Sequence, residues 1–216
     1  MTIKLIGFLI STSTLRVIIC LKELGIPYEL EPPASFQSLK DKDYIANKHP
    51  FGRIPVLFDG DFRINESRAI CRYLVSKYQG KYNNTILIPN DVYKAGLVEQ
   101  FISYESCYYD SPVSQIVSQE LLAKKFWGKD PDPEVLKEAR KNLNKVLDVY
   151  EKLLEGKEYL VGEFSLADIF HCPGTNLAYG IVTHSDLWDN RPNVKNWWNN
   201  LCNRDTIKKS FEEYRA

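Results

Sequence analysis

Phe51-Gly52-Arg53-Ile54-Pro55-Val56-Leu57-Phe58-Asp59-Gly60-Asp61 and, after Phe62-Arg63-Ile64-Asn65, the run Glu66-Ser67-Arg68-Ala69-Ile70 decide how this chain folds. Gly52 offers a turn, and Pro55 stands at the mouth of an apolar strand, Val56-Leu57-Phe58. Asp59-Gly60-Asp61 is a hairpin-turn signal. Glu66 and Ser67 put an acid and a hydroxyl at a helix start. Exposed N–H groups and the positive end of the helix dipole make such a start an anion site. A strand edge and a helix N-terminus therefore meet about one hairpin apart. That juxtaposition suits a small peptide, whose backbone pairs with the edge and whose carboxylate lies on the helix start.

Working outward, Ile3–Phe8 reads as a short strand and Ser13–Leu24 as a helix that is apolar on two sides. A helix apolar most of the way round is covered on both sides. Gly25 is its C-terminal stop. Tyr28–Glu31 is a second strand, Pro32-Pro33 opens a loop, Asp43–Lys48 is a short helix, and Glu66–Tyr78 is a helix after the 55–65 hairpin. This order predicts a thioredoxin-like α/β domain over residues 1–80. The polar, Gly- and Asn-punctuated stretch that follows predicts a linker over 81–90. Residues 91–216 read as all-helical. The clearest case is 133–155, where Leu136, Ala139, Leu143, Val146, Leu147, Tyr150 and Leu154 recur on one helix face, with Asp132 as N-cap and Gly156 as stop. A further helix starts at Ser165, with Ser165 and Asp168 as a capping box and Phe164 and Ile169 as a hydrophobic staple. So well specified a start assigns Asp168 to folding.

The chain has 216 residues, 44% hydrophobic and 26% charged, with a formal net charge of zero. That size holds one large domain or two modest ones. The neutral balance argues against a nucleic-acid binder, whose affinity needs a dense basic surface. Residues 1–80 carry 11 Lys/Arg against 8 Asp/Glu, a slight basic excess that suits an acidic small ligand. No apolar run reaches the ~18 residues of a membrane span. The five cysteines (20, 71, 107, 172, 202) form no Cys-x-x-Cys pair, and no signal-peptide pattern opens the chain. A cytoplasmic protein with reduced thiols is the expectation. His49, His171 and His184 lack metal-ligand spacing and read as structural; no metal is expected.

The opening motifs resemble the glutathione site of the glutathione transferases, most closely the phi class. The phi pattern reads N-P-F-G-Q-V/I-P, then D-G-D, then F-E-S-R-A-I. Here Lys48-His49-Pro50-Phe51-Gly52-Arg53-Ile54-Pro55, Asp59-Gly60-Asp61 and Asn65-Glu66-Ser67-Arg68-Ala69-Ile70 stand in those places. Phe164-Ser165-Leu166-Ala167-Asp168 and Val194-Lys195-Asn196-Trp197-Trp198 extend the resemblance over essentially the whole chain. It implies a thioredoxin-like first domain that binds glutathione as co-substrate, an all-helical second domain, and a homodimer.

The resemblance also implies the site. Ser11, in Ser11-Thr12-Ser13-Thr14-Leu15-Arg16, keeps the phi spacing of catalytic serine and arginine. Read from residues alone, this hydroxyl run serves equally as a helix cap. The resemblance makes Ser11 catalytic, with Thr12 or Ser13 serving the cap. In the family the proline follows a cis peptide bond, so the main chain of Ile54 beside Pro55 would pair with the ligand. Ser67 and Glu66 would take the γ-glutamyl carboxylate and ammonium. Phi sequences have Gln where this chain has Arg53, whose guanidinium either pairs with a ligand carboxylate or points to solvent. Where they have His-Lys for the glycine carboxylate, this chain has Lys40-Asp41-Lys42, which leaves Lys40 or Lys42 for that role.

An electrophile pocket is expected between the domains, with Ile10, Thr12, Phe36, Tyr104, Tyr108, Ile116 and Gln119 as candidates; each aromatic serves equally as core or dimer interface. Serine rather than cysteine at position 11 disfavours disulfide exchange. The expected activity is attack of the glutathione thiolate on an electrophilic carbon, or on a hydroperoxide oxygen. Two rivals share the fold: a non-catalytic carrier of hydrophobic ligands, and a scaffold such as the transferase-like domain of translation elongation factor 1B gamma.

Overall fold

The computed structural model describes residues 2–123 and 128–215. The chain divides into two compact units, Met1–Leu87 with Asp205–Ala216, and Ile88–Arg204. The first unit carries a four-stranded sheet of β1 (Ile3–Ile6), β2 (Tyr28–Glu31), β3 (Val56–Asp59) and β4 (Phe62–Asn65), in the order β2-β1-β3-β4. β1 runs parallel to β2 and antiparallel to β3, and β3 and β4 form the expected hairpin. The register pairs Ile6 with Val56 and Val56 with Asn65. The next row outward therefore brings Gly7, Pro55 and Glu66 to one end of the sheet.

Helix α1 (Thr12–Glu23) follows β1, α2 (Lys42–Asn47) precedes β3, and α3 (Ser67–Tyr78) follows β4. Leu15, Val17, Ile18, Ile19, Cys20 and Leu21 of α1 are all buried, as a helix apolar on two sides requires. Asp59 locks the hairpin to α3: its Oδ2 accepts from Tyr73 Oη, Lys77 Nζ and Tyr78 Oη, each at 2.6 Å. These donors hold its carboxyl down at about 2, although burial pushes the other way.

The second unit is helical. α4 (Val92–Tyr104) runs through a wide five-residue π turn, Glu105–Tyr109, into α5 (Asp110–Val117) and a second π turn, Ser118–Leu122. Then come α6 (Pro133–Leu153), α7 (Leu166–Thr175), α8 (Asp186–Asp189) and α9 (Pro192–Cys202). Asp132 caps α6 through Glu134 N and Val135 N, and the capping box at Ser165 and Asp168 is formed. Asp168 is fully buried, and its carboxylate accepts from Leu160 N, Ser165 N, Ser165 Oγ and Trp197 Nε1. His171 sits in the core, its Nδ1 on Ala167 O at 2.7 Å and its Nε2 on Tyr150 Oη at 3.0 Å.

The last helix, α10 (Asp205–Arg215), corrects the expected domain boundary, because it belongs to the first unit. Its buried face carries Ile207, Ser210 and Phe211, and its polar contacts reach α1 through Lys22–Glu213 and Thr206–Glu23. A sequence reading assigns a terminal helix to its chain neighbours. Here the apolar outer face of α1 attracts it across some 190 residues.

Candidate active site

Ser11 is itself the N-cap of α1, which corrects the expectation that Thr12 or Ser13 serves the cap. Its φ of −81° and ψ of 124° are extended, and its Oγ accepts from Thr14 N at 3.3 Å. Thr12 is the first helical residue. An acceptor uses only a lone pair of a hydroxyl. The Ser11 proton finds no acceptor among the described residues and remains available to a ligand. Beside it, Ser11 N donates to Phe8 O, and the Phe8 ring lies 4.4 Å from that of Phe36. Tyr214 Oη donates to Ile10 O at 3.1 Å. Ile10 and Phe36 are exposed, so they form an apolar rim next to the hydroxyl.

The Ile54-Pro55 peptide is cis. Neither main-chain group of Ile54 has a hydrogen-bonding partner among the described residues, so both are open to an extended peptide. The loop before it is held from several sides. Lys40 Nζ donates to Gly52 O at 3.1 Å, and Tyr44 Oη donates to Arg53 O at 2.9 Å. Gly52 has φ +58°, and a Cβ there would lie 2.4 Å from Leu39 O. Only glycine fits that position without moving backbone. Lys40 therefore supports the loop, donating to Phe51 O at 3.5 Å as well, and keeps one N–H for a ligand, whereas Lys42 is the exposed first residue of α2. The Arg53 guanidinium is exposed and makes no hydrogen bond or ion pair with a described residue.

Glu66 precedes α3 with φ +69° and ψ 107°, a conformation costing a non-glycine residue of order 1–3 kcal/mol. Its carboxylate makes no cap bond and is 68% exposed. Ser67 is the first residue of α3 and is buried. Its Oγ accepts from the buried Arg16 Nη1 at 2.9 Å. Arg16 thus brings positive charge to the start of α3, whose N–H groups already favour an anion. Sheet register gathers these parts: the segment after β1 that leads to Ser11, the residues before β3 and the start of α3 all leave the same end of the sheet. A hydroxyl donor, an open strand edge and a cationic helix start thus lie together at one end of the sheet.

Residues 5–82 match the model of the glutathione S-transferase N-terminal domain, and residues 113–205 match that of the C-terminal domain. Over 210 residues the chain is 33% identical to glutathione S-transferase F13 of Arabidopsis thaliana, covering 97% of this chain and 94% of that one. The chain belongs to the glutathione S-transferase family, on its phi-class or phi-like branch. It is 37% identical to glutathione S-transferase hmp2 of Hypomyces subiculosus, with both chains fully covered. Among solved structures, glutathione transferase F7 of Populus trichocarpa superposes with a TM-score of 0.90 at 35% identity, over 99% of each chain. Glutathione S-transferase I from mais, in complex with an atrazine glutathione conjugate, gives 0.90 at 31% identity, over 100% of this chain and 99% of that one.

Within this transferase the second-unit candidates separate. Tyr104 and Tyr108 do share a face, with rings 6.2 Å apart. With Lys145, Val146, Val149 and Tyr150 they line a cavity of about 390 Å³. Ile116 is fully buried in the core, so the structure removes it from any substrate surface. Gln119 Oε1 accepts from Asp132 N at 2.8 Å, just before α6. Sequence reasoning missed the structural part played by Arg16, and it missed Phe8 and Tyr214. Arg16 carried a signal as a charged residue within the buried apolar stretch Leu15–Leu21 of α1; Tyr214 carried none.

Proposed function

We propose that this transferase conjugates the glutathione thiolate to hydrophobic electrophiles. The observation that carries the reading is the Ser11 hydroxyl, whose oxygen caps α1 while its proton is uncommitted, at the sheet end that also holds the open Ile54 main chain and the start of α3. In this reading the cysteinyl backbone pairs with Ile54 beside Pro55. The Ser67 hydroxyl and N–H take the γ-glutamyl carboxylate, with Arg16 behind them. Glu66 takes the ammonium, and Lys40, Lys42 or Arg53 takes the glycine carboxylate.

Ser11 donates to the sulfur and is neither nucleophile nor base. A free thiol of this type titrates near ~8.5. A hydrogen bond to a charged group contributes roughly 1.5–3 kcal/mol, or about one to two pKa units. The α1 N-terminus pushes the same way. The thiolate lone pair then forms the carbon–sulfur bond, and the leaving group departs with its electrons. Ile10, Thr12 and Phe36 supply an apolar wall for the electrophile within the first unit. The same thiolate meeting a hydroperoxide oxygen would give peroxidase activity. A detoxifying role, a homodimer and a cytoplasmic location belong to this proposal; the five cysteines, all free thiols, support the last. No helix among the described residues is long and apolar enough to cross a membrane.

The test is conjugation of a chloro-dinitrobenzene electrophile by wild type and Ser11→Ala over pH 5.5 to 8. Wild-type activity is expected to persist at the acidic end and to fall about 10- to 100-fold in the variant, which still retains glutathione. Equal activity of the two proteins would refute the role of Ser11. No activity in either, with glutathione retained, would favour the carrier reading.

A further inference from the structure

His49 is the titratable group at this site that the proposed chemistry leaves unused. The phi pattern has asparagine in its place. The ring is 1% exposed. Its Nδ1 accepts from Phe51 N at 3.2 Å, so the neutral ring carries its proton on Nε2. Nε2 lies 3.6 Å from Glu66 Oε1. One buried side chain thus touches the loop that leads to Ile54 and also the carboxylate that precedes α3.

We infer that His49 is a positioning residue for the glutathione amine. Its uncharged ring holds the 49–55 loop through Phe51 N–H and turns the positive end of its Nε2–H dipole toward the Glu66 carboxylate, 3.6 Å away, which favours that carboxylate's place by charge and dipole rather than by a hydrogen bond. It thereby sets both the strand edge and the acid that meets the ligand's ammonium. The inference rests on the glutathione reading of the site.

The arrangement requires the neutral ring. A second proton would sit on Nδ1 and face the Phe51 N–H, donor against donor. The resulting imidazolium would also pair with Glu66 and cancel the charge that attracts the ammonium. Burial opposes this proton most, and the charges of Arg53 and Lys40 oppose it further, while Glu66 favours it. The net effect holds His49 below the ordinary histidine value, so the ring is neutral at pH 7. Binding-competent protein is therefore lost as pH falls through the His49 midpoint. Below that midpoint affinity drops about tenfold per pH unit, because apparent affinity scales with the competent fraction.

The test is calorimetric binding of S-methylglutathione, which has no ionisable thiol, to the full chain between pH 5 and 7.5. Wild type, His49→Asn and Glu66→Gln are compared, and proton NMR follows the His49 ring. Wild-type affinity is expected to be flat near neutrality and to fall through the pH at which His49 titrates. His49→Asn, whose amide oxygen can take the Phe51 N–H without titrating, is expected to stay within about threefold at pH 7 and to lose the acid limb. Glu66→Gln is expected to lower the His49 midpoint, because a favourable charge is gone. An acid limb that survives in His49→Asn, or a midpoint that Glu66→Gln leaves in place, overturns the inference. If His49→Asn does not fold, a mismatch between the wild-type binding and titration midpoints overturns it. Failure of wild type to bind S-methylglutathione at any pH overturns the glutathione reading itself, and this inference with it.

Discussion

Replacing Asp59 by asparagine is expected to loosen the hairpin that carries the site, by an amount the structure allows to be worked out. Asp59 takes three hydrogen bonds at 2.6 Å, from two phenols and one ammonium, all on α3. Its folded carboxyl lies at about 2, against an ordinary value of 3.8. The difference, about 1.8 units at 1.36 kcal/mol per unit, sets an upper bound of about 2.4 kcal/mol. The cationic partner, Lys77, is 43% exposed, so solvent screens part of that and about 1–2 kcal/mol remains. A depressed carboxylate stabilises above its unfolded pKa and loses that contribution as pH falls through its folded value. The contribution is thus complete above about pH 4 and gone below about pH 2. The assay is thermal unfolding of wild type and Asp59→Asn from pH 2 to 7. The variant is expected to melt roughly 2–8 °C lower at neutral pH, with the gap closing towards pH 2. A gap that stays constant across the acid range would refute the charge argument and leave only shape or packing as the cause.

Two further substitutions separate the site from its scaffold. Gly52→Ala places a Cβ 2.4 Å from Leu39 O at φ +58°, and is expected to weaken S-methylglutathione binding at least tenfold, measured by calorimetry, with a stability loss of about 1–3 kcal/mol. Asp168→Ala leaves Leu160 N, Ser165 N and Trp197 Nε1 buried without their acceptor. It is expected to cost about 3–5 kcal/mol in urea unfolding, while the folded fraction keeps its kcat, as befits a residue that serves folding.

The parts that were legible in the sequence are those whose determinants are local. Asp132-Pro133 and Ser165 to Asp168 carry their helix starts within one turn, and the structure has both. The hairpin and its flanking motifs place Pro55 and Glu66 at one sheet end because a two-residue turn leaves little choice of register. What was illegible depends on packing between distant segments. Ile116 looks like any apolar residue on a helix, and only the assembled unit decides that it faces inward. His49 and Glu66 are 17 positions apart, and nothing local couples an imidazole to a carboxylate over that span.

The terminal helix is the instructive miss, because its determinants were present and were read separately. α1 is apolar on two sides, which demands two covers. Within residues 1–80 α3 packs on α1, and whatever apolar surface of α1 the sheet and α3 leave open needs a third element. Ile207 and Phe211 form a four-residue-spaced apolar pair in a short polar helix, a face that needs a partner of its own. Matching an uncovered face to an unpartnered stripe assigns α10 to the first unit without any homologue. It also brings Tyr214 onto Ile10, beside the hydroxyl on which the proposed chemistry depends.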